Sequence, residues 1–247
     1  MKLWGITNTG LVRRENQDAY AAFEAGGCTV AVVCDGMGGT HGGRVASAIA
    51  VSRFQKEIQD NLRGDMTADQ LRHVMLASIA AANDAIRQEA ERNADYRHMG
   101  TTLVCALTRP DLALIANIGD SRAYHITSEG ISQISRDHSV VENMVAKGDI
   151  TPQEARRHPN RNLITRALGP DISAKADTFA LPWRTEEYIL LCTDGLVNTV
   201  SDQEMLFEVL HDGDVDGCLE HLLQISLQRG APDNVTAVLL LNDQERS

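Results

Sequence analysis

Aromatic residues are scarce, 4% of 247 residues against an apolar fraction of 43%, so a core must be built from Ala, Val, Ile and Leu rather than from rings. Cysteine is sparse too. The five, at 28, 34, 105, 192 and 218, form no Cys-x-x-Cys pair, so the pattern calls for neither a disulfide framework nor a zinc knuckle and suits a reducing compartment. No stretch reaches the roughly 18 apolar residues of a membrane-spanning helix, and the opening MKLWGITNTG has no apolar signal core. A cytoplasmic location without a membrane partner is the expectation. Basic residues are outnumbered, 23 Lys plus Arg against 34 Asp plus Glu, for a net charge of −11; this argues against broad nucleic-acid binding, and any phosphate site must be local. The phosphate-cradling loops GxxxxGK[ST] and GxGxxG are absent, as is the HCxxxxxR loop of a cysteine phosphatase.

No internal linker or repeat is visible, so a single domain over 1–247 is expected. The run Cys28–Cys34 (CTVAVVC) reads as a buried strand halted at Asp35-Gly-Met-Gly-Gly. Helical spacing follows from Gly43 to about Leu62. Thr67 and Gln70 then form a capping-box signal ahead of Leu71, Met75, Ile79 and Ile86. Short strands are expected at 101–107, 112–118, 122–126 and 130–134, close enough to pair antiparallel. The polar stretch 137–162 reads as a surface excursion. Strands resume at 173–179 and 188–192, helices at 201–210 and 216–228, and a strand closes the pattern at 234–241. The fold class implied is α+β in layers.

Three aspartates stand at strand ends or in glycine turns: Asp35, Asp120 and Asp194. A strand end fixes a carboxylate, and the glycine after Asp35 and Asp194 permits a tight turn that lets a backbone carbonyl reach the same ion. Hard divalent cations favour such oxygen ligands. Asp233, before the last strand, joins them if that strand shares the sheet. Each fragment alone is an ordinary turn sequence; together they suggest a cation site. Near Asp18, Arg13 and Arg14 supply guanidinium forks suited to phosphate, or simply a solvated charged turn.

Read in order, GLVRRENQD (10–18), DGMGG (35–39), Gly100-Thr101-Thr102, NIGDSR (117–122), DHS (137–139), TRALG (165–169), TDGL (193–196) and PDNVT (232–236) resemble the metal-dependent protein phosphatases of the 2C type, in particular compact bacterial members. The motifs cover nearly the whole chain. The resemblance implies a four-layer α-β-β-α sandwich, two central antiparallel sheets flanked by helix pairs. It implies a serine/threonine phosphoprotein phosphatase in which a metal-activated water attacks the phosphomonoester directly, without a covalent phosphoenzyme. It further implies two Mn2+ or Mg2+ ions held by Asp35, the Gly36 carbonyl, Asp194 and Asp233. A third, weaker metal would lie at Asp120 with Asp194. Arg13 would bind phosphate, Asp18 would orient the water, and residues 140–162 would form a flap beside the substrate. Partners would be phosphoserine and phosphothreonine proteins, a Ser/Thr kinase or its substrates among them, met by a monomer.

Three positions depart from the family pattern. Gln17 replaces a glutamate beside Asp18, removing one charge near the metals. Thr40 stands where a histidine is frequent, with His41 displaced by one. Met37 occupies the place of the histidine proposed as general acid in animal relatives. His138 reads as a structural hydrogen-bonding residue, and Cys34 and Cys192 as core. Two other functions stay open at this point: a catalytically silent phosphatase-like regulatory module, and a hydrolase of small phosphoesters.

Overall fold

The computed structural model describes residues 1–155, 157–173, 175–211 and 215–243, without the side chains of Thr40 and His211, and among these described residues it forms eleven strands and seven α-helices. The expectation attached to Thr40 therefore falls outside the described residues. Strands β1 (Lys2–Asn8), β2 (Asp18–Ala25) and β3 (Cys28–Met37) are followed by helices α1 (Gly39–Asn61) and α2 (Ala68–Arg92). Then come β4 (Gly100–Thr101), β5 (Leu103–Arg109), β6 (Leu112–Ile118), β7 (Arg122–Thr127) and β8 (Gly130–Gln133). Helices α3 (Val140–Lys147) and α4 (Pro152–Ala155) precede β9 (Asp177–Leu181) and β10 (Tyr188–Cys192). A short α5 (Asp194–Val197), α6 (Asp202–His211), α7 (Cys218–Gln228) and β11 (Val235–Leu241) complete the order.

The strands form two antiparallel sheets, β1-β11-β10-β7-β8 and β2-β3-β5-β6-β9, with β4 paired to β3. Alternation along β3 shows how they stack. Val30, Val32 and Cys34 pack with Phe54, Ile58, Leu71, Met75 and Ile86 of α1 and α2. Ala31 and Val33 instead face Ile189, Leu191, Val238 and Leu240 of the other sheet. That sheet's far side, Leu190, Cys192 and Leu239, is covered by Met205, Val209, Leu219 and Leu222 of α6 and α7. Period-two alternation between two buried faces thus yields the expected four-layer α+β sandwich. Each fully buried Ile, Leu or Phe contributes about 1.5–3 kcal/mol. All five cysteines are buried thiols, and Cys34 and Cys192 are core as expected.

The capping box at the start of α2 forms, Gln70 N donating to Thr67 Oγ1 and Thr67 N to Gln70 Oε1 at 2.8 Å. Several boundaries differ from the sequence reading. β3 runs on through Asp35 and Gly36 to Met37, because β4 pairs with its end. Helix α1 begins at Gly39, four residues early. The strand expected at 173–179 is observed as Asp177–Leu181. Strands β1 and β2 went unread; their half-buried patterns carry Gly5, Asp18 and Glu24 in place of a clean apolar run.

Candidate metal centre

At one end of the sandwich both sheets deliver carboxylates to an open pocket of about 560 Å3, whose walls include Arg13, Arg14, Gln17, Asp35, Gly36, Asp120, Asp194 and Asp233. Asp35 continues the inward parity of Ala31 and Val33. Its partner across the β2–β3 ladder is Asp18, so two carboxylates stand opposite each other on one face, an arrangement that is destabilising without a cation. Asp18 is buried, 9% exposed. Thr193 Oγ1 donates to its Oδ2 at 2.9 Å, and Thr236 N donates to Thr193 Oγ1 at 3.1 Å, a relay from the opposite sheet.

The Gly100-Thr101-Thr102 segment fixes Asp35 by its backbone. Asp35 N donates to Thr102 Oγ1 at 2.9 Å, and its carbonyl accepts from Thr102 N at 2.9 Å and Thr101 Oγ1 at 2.8 Å. Gly36 is required by close approach: a Cβ there would overlap the Gly43 carbonyl and sit 2.6 Å from the Gln17 carbonyl. Gly195 is held to the same condition by the Asn234 carbonyl, so α5 and the lead-in to β11 cross in contact and carry Asp194 and Asp233 together. Asp194 opens α5, and its Oδ2 accepts from Asn198 at 3.1 Å. Asp120 sits in the turn between β6 and β7, whose Gly119 N donates to His138 Nδ1 at 3.2 Å. His138 Nε2 faces Asp177 Oδ2 at 3.1 Å, and Arg166 donates to Asp177 Oδ1 at 2.9 Å. His138 is thus structural, as expected, and burial lowers its pKa.

Electrostatics mark this end as short of positive charge. Burial first, then neighbouring aspartates, raise the carboxyl of Asp18 from 3.8 to about 7, although Thr236 and Thr193 oppose the rise. Asp120 is likewise raised to about 7 and Asp194 to about 6. Asp35 is pushed well above the usual carboxylate range by burial, then by Asp18, Asp194, Asp120 and Asp233. Asp18 Oδ1 and Asp194 Oδ1 are buried with no hydrogen-bond partner, and such orphans carry a desolvation cost of about 1–3 kcal/mol each, more when charged. Oxygen-only donors, mutual repulsion and unpaired lone pairs fit hard divalent cations. Among the described residues no three His, Cys, Asp or Glu side chains close on one point, and Arg13 Nη2 holds Asp233 Oδ2 at 2.7 Å. Arg13 is 56% exposed, so releasing this pair costs little.

All seven residues singled out in the sequence reach this end: six line the pocket, and Asp18 lies just beneath. Two contributions were not read. Thr193 supports Asp18. Asn234 clamps the loop after β1, its Nδ2 donating to the carbonyls of Thr9 (2.8 Å) and Glu15 (3.1 Å) and its Oδ1 accepting from Gln17 N (2.8 Å). Asn162, the last residue of the expected flap, and Ile164 just after it stand on the pocket wall. Thr193 and Asn234 lay inside quoted motifs, so their place beside Asp194 and Asp233 was the available signal. His41 is drawn off by Glu15, 3.2 Å away.

Residues 12–229 match the family model described as Protein phosphatase 2C. The chain belongs to the protein phosphatase 2C family. The serine/threonine phosphatase Stp of Listeria monocytogenes is 33% identical over 96% of this chain and 94% of its own length. A crystal structure of a bacterial serine phosphatase superposes with a TM-score of 0.92 at 35% identity, covering 100% of both chains. The catalytic domain of the serine/threonine protein phosphatase PstP, solved with two manganese ions, gives a TM-score of 0.82 at 31% identity over 96% of each chain.

Proposed function

We propose that this chain is a metal-dependent serine/threonine phosphoprotein phosphatase with a dinuclear metal centre. The observation that carries the reading is the convergence of Asp18, Asp35, Asp120 and Asp194 from separate elements, two of them with buried, unpartnered oxygens. Asp35, Asp194, Asp233 and the Gly36 carbonyl would hold two ions, Mn2+ or Mg2+, and Asp120 with Asp194 a weaker third. When bound, such ions neutralise phosphate charge and acidify a water at neutral pH.

The protein's own contributions follow from placement. Arg13, exposed on the pocket wall, offers a planar donor fork to the phosphoryl oxygens. Asp18, anchored through Thr193, keeps one acceptor oxygen free to orient the attacking water. The cysteines are buried, so a thiol nucleophile is not supplied. Among the described residues no histidine lines the pocket; with Met37 there, the leaving oxygen takes its proton from solvent. The stretch 140–162 is pinned at its base, Val140 N donating to Leu163 O and Thr165 N to His138 O, which suits a flap beside the substrate.

This reading makes residues 1–247 one catalytic domain, a cytoplasmic monomer acting on phosphoserine and phosphothreonine proteins, among them a Ser/Thr kinase or that kinase's substrates. No helix among the described residues is long and apolar enough to cross a membrane. The test is hydrolysis of phosphoserine and phosphothreonine peptides in Mn2+, Mg2+ or EDTA. Activity should require a metal and fall at least about a hundredfold in Asp35→Asn and Asp194→Asn, a loss of about 2.7 kcal/mol or more in barrier lowering. Metal-independent turnover, or full activity in both variants, would refute it.

A further inference from the structure

The loop between β1 and β2 is fixed at both ends and exposed in the middle. Gly10 N donates to Asn8 Oδ1 at 2.9 Å and Leu11 N to the Ala231 carbonyl at 3.0 Å, while Asn234 grips the far end at Glu15 and Gln17. Between these anchors Leu11 is 65% exposed and Val12 67%. Leu163, 53% exposed, lies between the wall residues Asn162 and Ile164 on another part of the rim. Five large apolar side chains among the described residues are conspicuously exposed; three of them belong to these two rim segments. Isolated exposed apolar residues need no explanation, but several that directly adjoin pocket-wall residues in sequence suit a contact surface.

Arg14 lines the same pocket. Arg13 is taken by Asp233, and the carboxylate next in sequence, Glu15, is occupied by Arg44 at 2.6 Å and His41 at 3.2 Å. Among the described residues no carboxylate or carbonyl pairs with Arg14. A guanidinium unpaired on the wall of an otherwise acidic pocket, in a chain of net charge −11, is a local exception in sign. On the phosphatase reading Arg13 exchanges Asp233 for the phosphoryl group, which leaves Arg14 for the neighbouring residue of the substrate.

Resting on the phosphatase reading above, we infer that the Leu11–Arg14 loop reads the sequence around the phosphorylated residue: Arg14 pairs with an acidic side chain adjacent to the phosphoserine or phosphothreonine, and Leu11, Val12 and Leu163 supply apolar contact to the flanking segment. The occupant is an extended phosphopeptide segment carrying Asp or Glu beside the phosphoresidue. Arg14 is on this account a specificity residue, and its effect should appear in KM rather than kcat, since the contact is made equally in ground and transition states.

The test uses phosphopeptides identical but for Glu, Gln or Lys beside the phosphoresidue, hydrolysed in Mn2+ by the wild-type chain and by Arg14→Gln and Arg14→Glu variants. The wild type should favour Glu over Gln by about fivefold in kcat/KM, the upper end for a solvent-exposed ion pair, and raised salt should erode the preference. Arg14→Gln should bring the ratio to about one, and Arg14→Glu should invert it toward Lys. Equal kcat/KM for Glu and Gln peptides in the wild type, or a preference surviving in Arg14→Gln, overturns this inference while leaving the phosphatase reading intact. Failure to hydrolyse any of the peptides with metal present overturns that reading and the inference with it.

Discussion

Replacing Asp18 by Asn should make the metal-free protein more stable. Asp18 faces Asp35 across the β2–β3 ladder and has a buried oxygen with no partner. Its carboxyl is raised from 3.8 to about 7 by burial and, less strongly, by nearby aspartates; at 1.36 kcal/mol per pH unit, holding it ionised costs about 4 kcal/mol. Asp35 shares part of that repulsion, so the gain from deleting one charge at pH 8 is about 2–4 kcal/mol. An amide keeps an oxygen for the Thr193 hydroxyl and places a donor where the orphaned oxygen stood. Thermal unfolding in EDTA at pH 8 should show the midpoint of Asp18→Asn about 10 °C above wild type, at roughly 2–4 °C per kcal/mol for a chain of this size. The pH dependence has a definite sign: a carboxyl raised by folding keeps its proton longer in the native state, so this stabilisation is complete below about pH 4 and disappears as pH rises through about 7. The wild-type apo protein should weaken across that window, with Asp18→Asn flatter. Mn2+ should narrow the gap, because binding stabilises by mass action a wild-type site with more charge to neutralise, while peptide hydrolysis by the variant falls. A variant that melts below wild type in EDTA would refute the account of this end as electrostatically overloaded.

Gly195→Ala drives a Cβ into the Asn234 carbonyl and should separate Asp194 from Asp233; Mn2+ titration by calorimetry should show at least tenfold weaker binding. Asn234→Ala removes three hydrogen bonds to the loop after β1, expected to cost about 2–4 kcal/mol in urea unfolding and to raise KM for peptide. His138→Ala leaves the buried Gly119 N–H unpaired and should cost about 1–3 kcal/mol, read in the same urea assay.

The layered architecture was legible because β3, β6 and β10 each hold an apolar run and helices α1 and α2 space apolar residues at close to 3.6, with a capping box at Thr67. β1 and β2 were not, since Gly5, Asp18 and Glu24 break the alternation that marks a strand. Asp18 belongs to β2 because the ladder with β3 extends to it, despite Asp35 lying opposite, a nonlocal reason no window of sequence contains. At the site, the aspartates announced themselves through the glycines beside them. The Arg13–Asp233 pair could not be seen, joining residues 220 positions apart. Nor could the diversion of His41 to Glu15 be read, since it depends on how α1 is set against the β1–β2 loop.

The acids of the centre come from both sheets: Asp18 and Asp35 from one, Asp194 and Asp233 from beside the strands of the other, with Asp120 on the crossing between them. An ion seated there would act as a rivet through one end of the sandwich, whereas at the far end the sheets are joined by apolar packing around the buried Trp183. Stripping the ion should let the molecule open like a book at one edge only, and amide exchange should quicken first in the strand tips nearest Asp35 and Asp194.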